Sequence, residues 1–169
     1  MSENMNISFE DGWQEITVHS DPGRVIRWNA MDLDFVDRFF RFDRYVKTEL
    51  RERIKAISDQ IGDRSDNALD NYEEGAIQAL GIEFNEKFDE TFNTPVSQAA
   101  FQGVNPLSPT RNGRLLFDNF LDALGPIIDK SIKEFEKARK QYTAQFANRA
   151  ERRSAAKKSA DNGKKDDAE

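Results

Sequence analysis

The chain has 169 residues, 31 of them acidic and 25 basic, for a formal charge of −6, with a single histidine and no cysteine. This length suits one domain and lets a folded chain bury about 70% of the surface its unfolded form exposes, so a substantial core is affordable without staples. The missing cysteines exclude a disulfide framework and thiolate chemistry, and one histidine, His19, removes the usual zinc triads and paired-histidine catalysis.

Hydrophobic residues make up 37% of the chain and charged residues 33%, a balance that points to a compact core joined to a solvated segment. Residues 149–169 hold seven basic and five acidic residues, +2, which leaves −8 on the body. An acidic body repels phosphates, so nucleic acid is disfavoured as a partner except through that end of the chain. No apolar run approaches the ~20 residues that span a bilayer, and the first 25 residues lack the charged start and apolar stretch of a signal peptide. The expectation is a cytoplasmic protein with no membrane contact.

In chain order, residues 1–29 read as short strands around turns: Ile7 and Phe9 before Asp11-Gly12, then Trp13, Ile16 and Val18, then Val25, Ile26 and Trp28 after Asp21-Pro22-Gly23. A β-hairpin or meander is expected, with Trp13 and Trp28 packed on a helix. The first long helix is expected over 30–61, capped by Asn29, with the stripe Phe35, Phe39, Phe42, Val46, Leu50, Ile54, Ile57 and Ile61 at helical spacing. Its length calls for projection or a bend. Val36 and Phe40 widen the apolar face of its first half beyond what one neighbour covers. A second helix, from Ser65 or Asp66 to Phe92, carries a Phe84, Phe88, Phe92 ladder that reads as core, and Gly75 and Gly81 weaken it unless packing requires them.

Residues 93–112, rich in proline, glycine and polar side chains, read as a long loop that presents Phe101. A third helical region follows with Leu116, Phe117, Phe120 and Leu124, and Gly125-Pro126 interrupts it, as two helices or one kinked helix. Beyond it Ile128, Ile132, Phe135, Tyr142 and Phe146 continue the pattern, with Arg139 breaking the seam. After Phe146 nothing large and apolar remains, so residues 148–169 are expected to be a disordered charged tail, at most fraying helix through Lys158. The fold class is mainly α with a small β element: an N-terminal β segment, 1–29, packed on three to four helices of a domain over 30–147.

Little in the sequence suggests chemistry. There is no Gly-x-Ser-x-Gly elbow, no P-loop and no dinucleotide-binding glycine motif. Asp32, Asp34 and Asp37 suit a helix start, the carboxylates around Gly62 lack the order of a calcium loop, and Glu83, Glu86 and Glu90 read as a solvated face. No catalytic residue, cofactor or metal is expected, and the chain reads as a non-enzyme. The expected partner-binding side chains are Phe39, Phe40 and Phe101. Arg149, Arg152, Arg153, Lys157 and Lys158 form a basic cluster suited to solubility, to an acidic protein surface or to phosphates.

A β start, a long charged helix, a phenylalanine-rich middle, the run Arg114-Leu115-Leu116-Phe117-Asp118-Asn119-Phe120-Leu121-Asp122-Ala123-Leu124 and the close Phe146-Ala147-Asn148-Arg149-Ala150-Glu151-Arg152-Arg153-Ser154-Ala155-Ala156-Lys157-Lys158 together resemble small siphophage tail proteins of the tail-assembly-chaperone-like type. The resemblance implies a non-catalytic protein of the host cytoplasm that binds a helical tape-measure client, or delivers tail-tube subunits, during virion assembly. Weak self-association is expected without a client. Two other readings stay open, a nucleic-acid-associated protein acting through the basic cluster and an inhibitor of a host defence protein.

Overall fold

The computed structural model describes residues 6–62 and 68–162. The chain divides after Ile128 into two units. The fold is mainly helical with one antiparallel hairpin, as the sequence predicts. Strands β1 (Trp13–Thr17) and β2 (Val25–Asn29) pair in the register Gln14 to Trp28 and Ile16 to Ile26. The helices are α1 (Leu33–Tyr45), α2 (Arg51–Gly62), α3 (Ala68–Phe92), α4 (Val96–Phe101) and α5 (Leu116–Asn162).

The hairpin is narrower than the sequence suggests, because residues 6–12 form no strand. Trp28 is buried, whereas Trp13 is 59% exposed, contrary to the expectation that both pack on a helix. A two-stranded ribbon has one covered face, and β2 carries the inward residues Ile26 and Trp28. The connection bends through Val18–Ser20, where His19 and Ser20 take φ of 55° and 58°. Left-handed backbone costs energy at a non-glycine residue. The backbone bond from Val18 to Arg24 and the Asp21 carboxylate accepting from Gly23 N hold the turn.

Asp32, rather than Asn29, caps α1: its carboxylate accepts from Asp34 N at 2.9 Å, while Asn29 Oδ1 accepts from Met31 N. Between α1 and α2 the chain passes through one π-helical segment, Val46–Leu50. The extra residue in that turn keeps Val46 and Leu50 on the buried face begun by Phe35, Phe39 and Phe42. The stripe fades beyond it, with Ile54 and Ile57 only half-buried.

Helix α3 is the centre of the first unit. Phe84 and Phe88 are fully buried, and Phe42 of α1 meets both at 5.3 and 5.4 Å. Phe35 meets Phe92 at 5.3 Å. The other side is closed by Phe117 against Phe84 and Phe120 against Phe88. The expected start of α3 at Ser65 or Asp66 lies outside the described residues.

The stretch 93–112 is not a plain loop. Asp89 of α3 accepts from Ser97 N and Ser97 Oγ at 2.7 and 2.8 Å, which organises the first turn of α4. Arg24 of the hairpin closes its other end, donating to the Ala99 and Ala100 carbonyls at 2.8 and 2.7 Å. Helix α5 begins at Leu116, after a bridge between Pro109 and Leu115. Gly125-Pro126 does not end it; Pro126 lies inside the helix, which loses one internal hydrogen bond there. Residues 148–162, expected as a disordered tail or at most fraying helix through Lys158, continue α5 to Asn162, and residues 163–169 lie outside the described residues.

The two α3 glycines have opposite roles. A Cβ on Gly81 would clash with Asn105 Oδ1, and that side chain is fixed by accepting from Leu107 N and donating to the Ile77 carbonyl. At Gly75 a Cβ meets nothing within 4 Å. Gly75→Ala should therefore stabilise the protein by up to about 1 kcal/mol through helix propensity, while Gly81→Ala should destabilise it despite the same gain. Urea unfolding of the two variants checks this, and equal signs would contradict the packing described.

Candidate functional site

The three expected partner-binding phenylalanines separate. Phe39 is buried, with its ring 6.1 Å from Phe35. Phe101 is buried too, with its ring between 5.2 and 6.1 Å from those of Phe84, Phe88 and Phe120. Both are core side chains, so neither offers a surface for a partner. Only Phe40 is half exposed, at 50%, beside half-buried Val36 and exposed Leu33. The hairpin does not cover this stripe of α1.

A second surface was not anticipated from the sequence. An apolar groove of about 540 Å³ lies between the end of the hairpin and the first turns of α5. Ile16, Thr17, Val18 and His19 form one wall, and Leu116, Phe120, Ala123 and Ile127 the other, with Ala100 of α4 between. The signal was present in the α5 sequence. Positions 116, 120, 123 and 127 recur at helical spacing, about one residue out of phase with the buried set Phe117, Leu124 and Ile128. Phe120 serves both, packing on Phe88 and Phe101 while lining the groove, so Leu116, Ala123 and Ile127 are the apolar surface beyond what the core uses.

Local chemistry explains why the groove stays open. Arg24, bonded to the carbonyls of α4, fixes the hairpin at its root rather than along α5. Arg51 makes a bidentate pair with Asp118 and lies 5.1 Å over the Phe117 ring, which anchors the opposite side of α5. Asn119, at the groove, donates to Thr110 Oγ1 at 2.9 Å, and Arg114 pairs with Asp122 at 2.6 Å. His19 is exposed at the rim in its left-handed conformation. The polar groups facing the groove are thus few: Thr17, His19 and Asn119.

One titratable cluster is clearly perturbed. Tyr45 donates to Glu83 at 3.2 Å, and Arg53 donates to the same carboxylate at 2.7 Å. Burial, and then the Glu83 charge, pushes the Tyr45 hydroxyl above its ordinary value of 10. For Glu83 burial alone would raise the carboxyl, but hydrogen bonds from Arg53 and Tyr45 and the charges of Arg53 and Lys87 outweigh it and hold it below 4.5. Both groups keep their ordinary protonation at neutral pH, so the cluster acts as a brace from α1 and α2 to α3. It borders a shallow polar depression of about 290 Å³ that Arg38, Arg41 and Lys87 line with Glu90. Arg38 is already bonded to the Thr91 carbonyl, Arg41 to Asp37, and Lys87 lies 4.9 Å over the Tyr45 ring.

Arg149, Arg152 and Arg153 are exposed on α5, and Lys157 and Lys158 lie further along the same helix, with side chains outside the described residues. No group of three or more metal-ligating side chains occurs among the described residues, and none of the described helices is long and apolar enough to cross a membrane. Comparisons of the chain with family models, curated proteins and solved structures find no match.

Two predictions follow from this geometry. Phe39→Asp should abolish cooperative folding, since a buried charge costs several kcal/mol, whereas Phe40→Asp should change stability by less than about 1 kcal/mol; thermal unfolding followed by circular dichroism separates them. A depressed carboxylate stabilises the fold above its unfolded value and loses that contribution as pH falls through its folded value. Wild type should exceed Glu83→Gln in stability by about 1 kcal/mol or less at neutral pH, the exposed Arg53 limiting the gain. The gap should close as the pH is lowered through the acid range below 4.5, and a gap that persists in acid would assign the effect to packing.

Proposed function

We propose that this chain is a non-catalytic binding protein that takes apolar side chains of a helical client in the groove between the hairpin and α5, in the manner of a phage tail-assembly chaperone. The observation that supports this reading is the groove itself, an apolar cleft of about 540 Å³ walled by aliphatic and aromatic side chains. A cleft of this size and polarity suits a few anchors from one face of an amphipathic helix, with neighbouring turns resting on its rim. The α1 stripe of exposed Leu33, half-buried Val36 and exposed Phe40 adds an apolar contact of the same kind.

An apolar capture mechanism matches the task. A long helical tail protein exposes its seam before assembly, and a protein that covers the seam reversibly keeps it from aggregating. The low polarity of the groove makes the contact tolerant of client sequence, since no charged side chain inside it must find a partner. The acidic body, at −8 without its last 21 residues, keeps the loaded complex soluble.

Ala123 is exposed on the groove wall, so a larger side chain there fills the cleft without entering the core. With a tape-measure protein co-expressed as client, wild type should keep it soluble and co-purify with it in high salt. Ala123→Trp should weaken binding about tenfold or more at unchanged unfolding midpoint. Unaltered client binding by the folded variant would overturn the groove as the site, and a client that stays insoluble with wild type would overturn the chaperone reading.

A further inference from the structure

We infer that the exposed face of α5 beyond Asp129 is a second recognition surface, one that pairs with an acidic amphipathic helix of a partner protein. It uses neither the groove nor α1, so it stands apart from the function proposed above.

Two series of residues seven apart share this face of the helix. Phe135, Tyr142 and Arg149 form one, and Arg139, Phe146 and Arg153 the other. Seven residues complete nearly two turns, so each series drifts only about 20° per step. The two lie side by side, separated alternately by three and four residues, which is the seam spacing of paired helices. The side chains are available: Tyr142 is 62% and Phe146 50% exposed, and their rings lie edge to face at 4.6 Å. Arg139, Arg149, Arg152 and Arg153 are exposed, and no ion pair engages them among the described residues.

Charge identifies the occupant. Between Glu136 and Glu151 the sequence holds Lys137, Arg139, Lys140 and Arg149 and no carboxylate, in a chain that is otherwise rich in acids. Residues 1–128 carry 23 acidic against 13 basic residues, −10, whereas residues 129–169 carry 8 against 12, +4. A second copy of the same helix in parallel register does not neutralise this face, because each arginine meets its own copy and residues 137–150 hold no acid. The seam spacing favours a helix over a nucleic acid strand, because successive bases require splayed rings, and here Tyr142 and Phe146 pack on each other. A helix with apolar seam residues flanked by glutamate or aspartate satisfies both features. The aromatic pair supplies the buried anchor and the arginines select the sign of the flanks.

The test uses the full chain and a synthetic helix of about four heptads, with leucine at the seam and glutamate at the flanking positions, beside the same peptide with lysine in place of glutamate. Fluorescence anisotropy should show binding of the glutamate peptide only, weakening as salt is raised. Tyr142→Gln with Phe146→Gln should reduce affinity about tenfold or more while keeping helix content, glutamine being a good helix former. Arg149→Glu with Arg153→Glu should shift preference toward the lysine peptide, and Ala123→Trp should leave binding unchanged. Equal binding of both peptides, or none, would overturn the proposal. So would tighter binding of a short single-stranded oligonucleotide that depends on Tyr142 and Phe146, or dimerisation of the chain that the same two substitutions abolish.

Discussion

The aromatic packing of α3 against α1 is the constraint on which the first unit depends. Phe84 and Phe88 are one helical turn apart, and Phe42 contacts both, so the two helices are held by rings that no water reaches. Rings meeting edge to face add specific geometry to the area they bury. Phe101, Phe117 and Phe120 then close the same cluster from α4 and the start of α5. Short α4 owes its position to this cluster and to two caps supplied from elsewhere, Asp89 at one end and Arg24 at the other.

The groove is a by-product of how that cluster is satisfied. Phe117, Leu124 and Ile128 turn one face of α5 inward, and the spacing of Leu116, Phe120, Ala123 and Ile127 leaves a second apolar face beside it. The hairpin would cover that face if it lay along α5, but Arg24 ties it to the carbonyls of α4 instead. The strained turn at His19 and Ser20 sits at the resulting rim. Backbone held in a sparsely populated conformation persists where the surroundings over-determine it, and such positions cluster at binding surfaces.

Charge and apolar surface are partitioned along the chain. Acidic residues dominate up to Ile128, where apolar side chains line a cleft and a stripe on α1 among other exposed positions. Beyond it, basic residues flank two exposed rings on one helix. The two surfaces therefore differ in chemistry, one lined by few polar groups and one flanked by exposed arginines.

Local periodicity by itself determined the helical class, the hairpin at the N-terminal end and the core role of the Phe84, Phe88, Phe92 ladder, because spacing at 3.6 or 2 residues is a property of a single segment. It also found the excess apolar width at Phe40. The stripe through Phe35, Phe39 and Phe42 separates Phe39 from Phe40 in phase, but tertiary structure alone decided that α3 covers the first and leaves the second half exposed, α3 lying about 50 residues away in the chain. The burial of Phe101 was hidden for a related reason: the caps that make α4 a helix, Asp89 and Arg24, are not its sequence neighbours. Trp13 stays exposed because a ribbon covers one face, and sequence alternation does not say which. At Pro126 the sequence leaves two helices or one kinked helix open, because proline removes a hydrogen bond; the single helix is decided by burial, the one lost bond being outweighed where Leu124 and Ile128 on either side are fully buried.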